Sequence, residues 1–377
     1  MKLKKMLAIL FTVVMVLGLA ACGEKPVDQP PVDNTPTEEA NVPDVPTDVP
    51  YIAVVSKGFQ HQFWQVVKKG AEEAAIEYGV EITFDGPPTE SDIAIQVDML
   101  KSAMDKGPAA IALAALDTES VMEQLNACMT NGIPVVGFDS GVPNAPEGAI
   151  YATASTNNAA AAAVAADNLF ANPDFAAALE AATADSPIVV GVLSQDATSE
   201  SIISRTSGFI DRLVELAGAD TTSVIGHDKY AKAIDGAKLI ISVNVTATTS
   251  AADMKSGAEL LLATEGLVAL YGSNENAAGG MLAASNDGND FNKETGKYAD
   301  IIAIGFDAGK TQRVAVENGW FYGSVTQDPY QIGYKAVELA VQAIGGVPAA
   351  SDIVDTGAKW YNSENLSDPS ISELVYE

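Results

Sequence analysis

The chain has 377 residues, 21 Lys and Arg against 50 Asp and Glu, a formal charge of −29, two Cys and two His. That acidity argues against nucleic acid or an anionic membrane surface as a partner and is the ordinary means of staying soluble in a crowded environment. Two cysteines and two histidines cannot build a disulfide framework or a zinc cluster, and no cofactor is expected.

The first 21 residues read as an export signal. Lys2, Lys4 and Lys5 precede an apolar run from Met6 to Leu19 that ends in Leu19-Ala20-Ala21-Cys22, too short for a membrane span. A Cys directly after small residues is the pattern of a lipobox, as in bacterial lipoprotein precursors, and predicts lipidation at Cys22 and attachment to the outer face of the cell membrane. Residues 22–50 follow as a stalk: from Gly23 to Pro50 there are seven prolines, seven acids and no aromatic residue. Such a segment buries too little apolar surface to offset the entropy of ordering and stays extended.

From Tyr51 the chain alternates short β-branched runs with longer segments of helical period. YIAVV leads to a helix near 62–78, VEITF to one near 91–106, AAIALAAL to one near 118–131, and IPVVGF to a loop. After an alanine-rich helix near 157–170 the rhythm restarts with PIVVGVLS, a helix near 201–216, GLVALYGS, a further helix and DIIAIGFD. This alternation predicts parallel sheets covered on both faces. The second round resembles the first, since Gly70 lies 14 residues after Ser56 as Gly208 does after Ser194, and "GFDSG" at 137–141 answers "GFDAG" at 305–309. The expected fold is therefore α/β, with two similar doubly wound lobes, and about 327 folded residues are more than one core usually supports.

Loops at the carboxyl ends of parallel strands line the binding crevice. Asp139 and Asp307 stand at equivalent strand ends and would face one cleft, with Phe63 and Trp64 on its wall. Enzymatic chemistry finds little support. "GFDAGKT" at 305–311 lacks the spacing of a phosphate loop, no G-x-G-x-x-G occurs, and neither His61 nor His227 stands near a nucleophile elbow. The residues assigned to the cleft are Phe63, Trp64, Asp139, Asn157, Arg205, Asn274, Asp307 and Gln327. Carboxylates, amides and a guanidinium can bridge adjacent hydroxyls while flat rings cover C–H faces, so this mixture reads as a polyol site.

The lipobox, the stalk and the series "IAVVS", "FW", "IPVVGFDS", "ASTNN", "SRTSGF", "GSNENAAGG", "IAIGFD" and "SVTQDPYQIGYKAVELA" together resemble the type I periplasmic binding proteins of sugar ABC importers, over residues 51–356. The resemblance implies a three-crossing hinge between lobe one, at 51–155 with 328–355, and lobe two, at 156–327 with 356–377. It implies stacking of Phe63 and Trp64 on a sugar with His61 close by, hydroxyl binding by Asp139, Asn157, Arg205, Asn274, Asp307 and Gln327, and an ABC permease and ATPase as partners of a monomeric, non-enzymatic protein. Where ribose-type members often carry Arg after the first Asp, this chain has Ser140, which leaves the cleft one cation short and the sugar unassigned. Three other readings stay open or weaker: a sensor subunit of the same fold presenting a signalling molecule or nucleoside, a surface hydrolase, and a repressor core, which export and the missing DNA-binding headpiece oppose.

Overall fold

The computed structural model describes residues 49–59 and 61–376. The signal segment, Cys22 and nearly all of the stalk lie outside the described residues. The chain begins with β1 (Tyr51–Val55), α1 (Gln62–Tyr78), β2 (Glu81–Asp85), α2 (Ile93–Asp105), β3 (Ala110–Leu113), α3 (Met122–Asn131), β4 (Val135–Phe138) and β5 (Thr153–Ser155). It continues through α4 (Asn158–Ala171), α5 (Pro173–Ala181), β6 (Ile188–Ser194), α6 (Glu200–Ala217), β7 (Thr222–Ile225), β8 (Leu239–Val245), α7 (Ala251–Leu262), β9 (Leu267–Gly272), α8 (Glu275–Ala283), β10 (Ile302–Phe306), α9 (Lys310–Glu317) and β11 (Phe321–Gln327). The last elements are α10 (Pro329–Ile344), β12 (Ile353–Asp355), β13 (Ala358–Tyr361) and α11 (Pro369–Ser372).

Two sheets form, in the orders β12-β5-β4-β3-β1-β2 and β13-β11-β10-β9-β6-β8-β7. Every pairing is parallel except β13 on β11. Stripped of edge strands, the two orders are the same arrangement, with β6 in the place of β1, β9 of β3 and β10 of β4. Their central strands are buried on both faces, as YIAVV, AIAL and IVVGVLS require of apolar runs without alternation. The chain passes from the first sheet to the second after β5, returns after β11, and passes again between β12 and β13.

Glycine sets the helix packing in both halves. A Cβ at Gly70 of α1 would fall on the Tyr330 carbonyl of α10, and one at Gly208 of α6 on the Ala159 carbonyl of α4. These positions therefore let two helices approach closely enough to seal one face of each sheet. β7 and β8 follow one another with only a loop between them, so no helical period separates their signals in the sequence.

Candidate functional site

The chain order inside each sheet reverses between β1 and β3 and again between β6 and β9, and the crevice of an open α/β sheet lies at the carboxyl ends of such strands. There β1 runs into Ser56 and Lys57, and α1 starts from His61, an N-cap residue with extended backbone. Phe63 and Trp64 occupy the first turn of α1, edge to face with ring centroids 5.0 Å apart. Trp64 is only 1 % exposed, and its indole nitrogen donates to Glu90 Oε1 at 2.7 Å.

Asp139 and Asp307 directly follow β4 and β10, both with left-handed backbone, at φ of 54° and 76°. That conformation costs free energy in a residue other than glycine and is retained where surrounding structure over-determines it. Their N–H groups donate to the neighbouring strands in equivalent fashion, Asp139 to the Ala154 carbonyl and Asp307 to that of Val325. The turn that follows each strand thereby swings a carboxylate over the sheet edge.

Each carboxylate meets a cation from its own half. Lys57 Nζ lies 3.1 Å from Asp139 Oδ2, and Arg205 Nη1 lies 3.5 Å from Asp307 Oδ2. The guanidinium is held further by Asn158, whose Oδ1 accepts from Arg205 Nε at 2.8 Å, and by the Phe306 ring, whose centroid is 4.1 Å from its central carbon. Asp307 also accepts from Gln327 Nε2 and from the Glu275 backbone N–H at 2.9 Å.

The two halves touch across the crevice. Lys57 Nζ donates to Ser201 Oγ at 3.0 Å, Gln195 Nε2 to Glu90 Oε2 at 2.8 Å, and the Lys310 N–H to Gln62 Oε1 at 3.0 Å. Between them lies a narrow cavity of about 20 Å³ lined by Lys57, His61, Phe63, Trp64, Glu90, Asp139, Ile202, Arg205, Asn274, Glu275, Asp307 and Gln327.

Burial shapes the charges. It works against the Lys57 ammonium, but Asp139, Glu90 and Asp196 outweigh it and hold that group above its ordinary range. Burial outweighs Lys57 and Arg205 at Asp139 and pushes its carboxyl up. Glu90 is buried as well, yet Lys57, His61 and the bonds from Trp64 and Gln195 leave it below the usual carboxylate range. Burial pushes Glu275 up to about 7, with His61 pulling down and Asp307 pushing up.

Of the residues expected from sequence, His61, Phe63, Trp64, Asp139, Arg205, Asn274, Asp307 and Gln327 come together on this one cavity. Asn157 does not. It is exposed, and its Oδ1 caps α4 by accepting from the Ala160 N–H at 3.2 Å. Its neighbour Asn158 faces inward instead and fixes Arg205. The expectation of a missing cation is also corrected: Ser140 accepts from the Ser201 N–H at 3.3 Å, and Lys57 supplies the positive charge beside Asp139. Lys57, Glu90 and Glu275 join the site beyond the residues expected from sequence; Lys57 lies two residues past the end of β1 and Glu275 directly follows Asn274.

The site offers paired hydrogen-bonding groups and two aromatic rings, with no group of three or more His, Cys, Asp or Glu placed to hold a metal ion among the described residues. Two matched parallel sheets around such a crevice define a type I periplasmic binding protein. Residues 52–347 match the periplasmic binding protein domain, and the chain belongs to that family. It is similar to the D-allose-binding periplasmic protein of Escherichia coli K12, 25% identical over 299 residues that cover 77% of this chain and 83% of the relative. Among solved structures it is similar to an ABC transporter, LacI family transcriptional regulator of Brachyspira murdochii, at 41% identity, TM-score 0.72, and coverage of 87% and 99%. A solute-binding protein of Agrobacterium vitis with bound D-fucose aligns at 27% identity, TM-score 0.72, and coverage of 86% and 100%.

Proposed function

We propose that this protein captures a neutral monosaccharide or related polyol between its two halves and delivers it to the permease and ATPase of an ABC importer. The observation that carries this reading is the pair of opposed carboxylates, Asp139 and Asp307, each already facing a cation beside the Phe63 and Trp64 rings. A carboxylate next to a cation presents adjacent acceptors and donors, which is what vicinal hydroxyls need, while an aromatic face takes the apolar side of a sugar ring. Because the cations are matched by carboxylates, the cleft suits an uncharged ligand better than a phosphate or a uronate. His61, Asn274 and Gln327 complete the proposed ligand set, and the relatives known with D-allose and D-fucose agree in ligand class.

The hinge reading goes with it: residues 51–155 with 328–355 and residues 156–327 with the tail close on the ligand from two sides, and contacts from both stabilise the closed population. Lipidation at Cys22 would hold the protein at the outer face of the cell membrane. Changing Cys22→Ser should release it to the soluble fraction, and retention in the membrane fraction would count against the anchor.

A thermal-shift screen over sugars, polyols and nucleosides, with D-allose and D-fucose included, tests the central reading. A ligand at 100 times its dissociation constant adds about 2.7 kcal/mol of stability, a readily measured rise in Tm. Asp139→Ala and Asp307→Ala should each weaken the best ligand by roughly 30- to 1000-fold, from about 2 to 4 kcal/mol of lost charge-assisted bonding. Truncating Trp64 to Ala should cost on the order of 1 to 3 kcal/mol of affinity. Lower stability with unchanged affinity in these variants would defeat the cleft assignment.

A further inference from the structure

Glu90 lies outside both ion pairs, on the turn between β2 and α2, and is 6 % exposed. The turn is stiff: the Thr89 hydroxyl donates to Asp92 Oδ2 at 2.8 Å, and the Asp92 N–H returns to the Thr89 carbonyl at 3.1 Å. One carboxylate oxygen of Glu90 accepts from the indole of Trp64 at 2.7 Å, within the first half. The other accepts from Gln195 Nε2 at 2.8 Å, and Gln195 follows β6 in the second half. Gln195 is itself oriented, since its Oε1 accepts from Asn274 Nδ2 at 2.7 Å and from Asn276 Nδ2 at 3.1 Å. A hydrogen-bonded chain thus runs from the aromatic wall of one half to the first turn of α8 in the other.

We propose that Glu90 is a positioning residue for ligand capture: it fixes the plane of the Trp64 ring and, through Gln195, couples that plane to closure of the cleft. The proposal rests on the sugar-site reading for its use of Trp64 as a ring platform, and goes beyond it in assigning Glu90 and Gln195. A buried carboxylate is expensive to keep, and an apolar residue would support an indole at lower cost. What an apolar residue cannot do is accept from both halves at once. The same argument accounts for tryptophan at position 64, because phenylalanine would supply a ring but no N–H to orient it. A ring free to turn about its side-chain bonds loses part of the contact that an aromatic platform provides.

The test uses the full chain with Trp320→Phe and Trp360→Phe, so that Trp64 alone fluoresces. Gln195→Leu acts on Trp64 from across the cleft, through its bond to Glu90. It should red-shift the emission and raise acrylamide quenching, either in the sugar-free protein or with the best-binding sugar of a D-allose, D-fucose and D-arabinose panel at saturation. Glu90→Gln should do the same and weaken that sugar about tenfold, equivalent to about 1.4 kcal/mol. The exchange of Glu90→Gln together with Gln195→Glu restores a donor opposite an acceptor and should recover the emission, which a purely local structural role of Glu90 would not permit. Unchanged Trp64 emission and quenching in Gln195→Leu under both conditions, or no recovery in the exchanged pair, would overturn the proposal. If no sugar of the panel binds the parent protein, the sugar reading fails while the sugar-free comparison still decides the role of Glu90.

Discussion

Each half of the cleft sets a carboxylate in left-handed backbone beside a cation, Lys57 with Asp139 in the first and Arg205 with Asp307 in the second. The pairs differ in what holds the cation. Arg205 is fixed within its own half by Asn158 and the Phe306 ring, whereas the Lys57 ammonium reaches across to Ser201. A rigid planar guanidinium stacked on a ring is already ordered before any ligand arrives; a flexible ammonium is ordered by the opposing half. The second half is therefore a prepared surface, and the first half would finish its site on closing.

Removing the two cations should separate these roles. Arg205→Met strands Asp307 in a packed environment and should cost about 3 kcal/mol of folding stability, the low end of the range for breaking a buried pair, because an open cleft partly rehydrates the carboxylate. Lys57→Met should leave urea-unfolding midpoints closer to the parent and fall mainly on ligand affinity, since the open first half lets water reach Asp139. Equal losses of stability in the two variants would erase the distinction between a prepared half and a completed one.

A second comparison concerns the helix pairs behind the sheets. Gly70 against α10 and Gly208 against α4 meet backbone rather than the flexible end of a side chain, so neither neighbour can step aside cheaply. Gly70→Ala and Gly208→Ala should each cost about 1 to 3 kcal/mol, the usual range for overpacking. Denaturant titration of both variants checks whether the two halves really repeat one packing solution. A loss in only one of them would show that the spacing of Ser56 to Gly70 and Ser194 to Gly208 is a coincidence of sequence.

Much of this arrangement was legible in the chain because its signals are local. Buried parallel strands need unbroken β-branched runs, and the repeated Gly-Phe-Asp marks equivalent strand ends without any knowledge of tertiary contacts. What stayed hidden depends on contacts between distant segments. Lys57 stands in a polar run that reads as solvated, and only the approach of Asp139 and Ser201 makes it a buried cation. Glu90 lies in "PPTES", a turn by composition, and nothing nearby in sequence announces that Gln195 will meet it. Asn157 and Asn158 differ by one position at a helix start, where the first caps and the second turns inward, and periodicity cannot tell a cap from the first helical residue.

The smallest effect concerns Glu275, on the first turn of α8 beside Asp307. Its carboxyl faces the backbone N–H groups of Gln62 and Phe63 at the start of α1, and the other charged or titratable groups around it are His61, Asp307, Tyr361 and Tyr376. In the closed cleft burial raises it from an ordinary 4.5 to about 7. Opening the cleft returns the group to water and toward its ordinary value. Between those two values the closed state holds more protons than the open one, so closure is favoured at the acid end and loses free energy as pH rises through the window, levelling off above the closed-state value. Ligand affinity should therefore fall by about tenfold, or about 1.4 kcal/mol, between pH 6 and pH 8. Calorimetry with the best-binding sugar at several pH values measures this directly. Glu275→Gln should flatten the profile; a profile that survives Glu275→Gln unchanged would mean that another group carries the pH dependence.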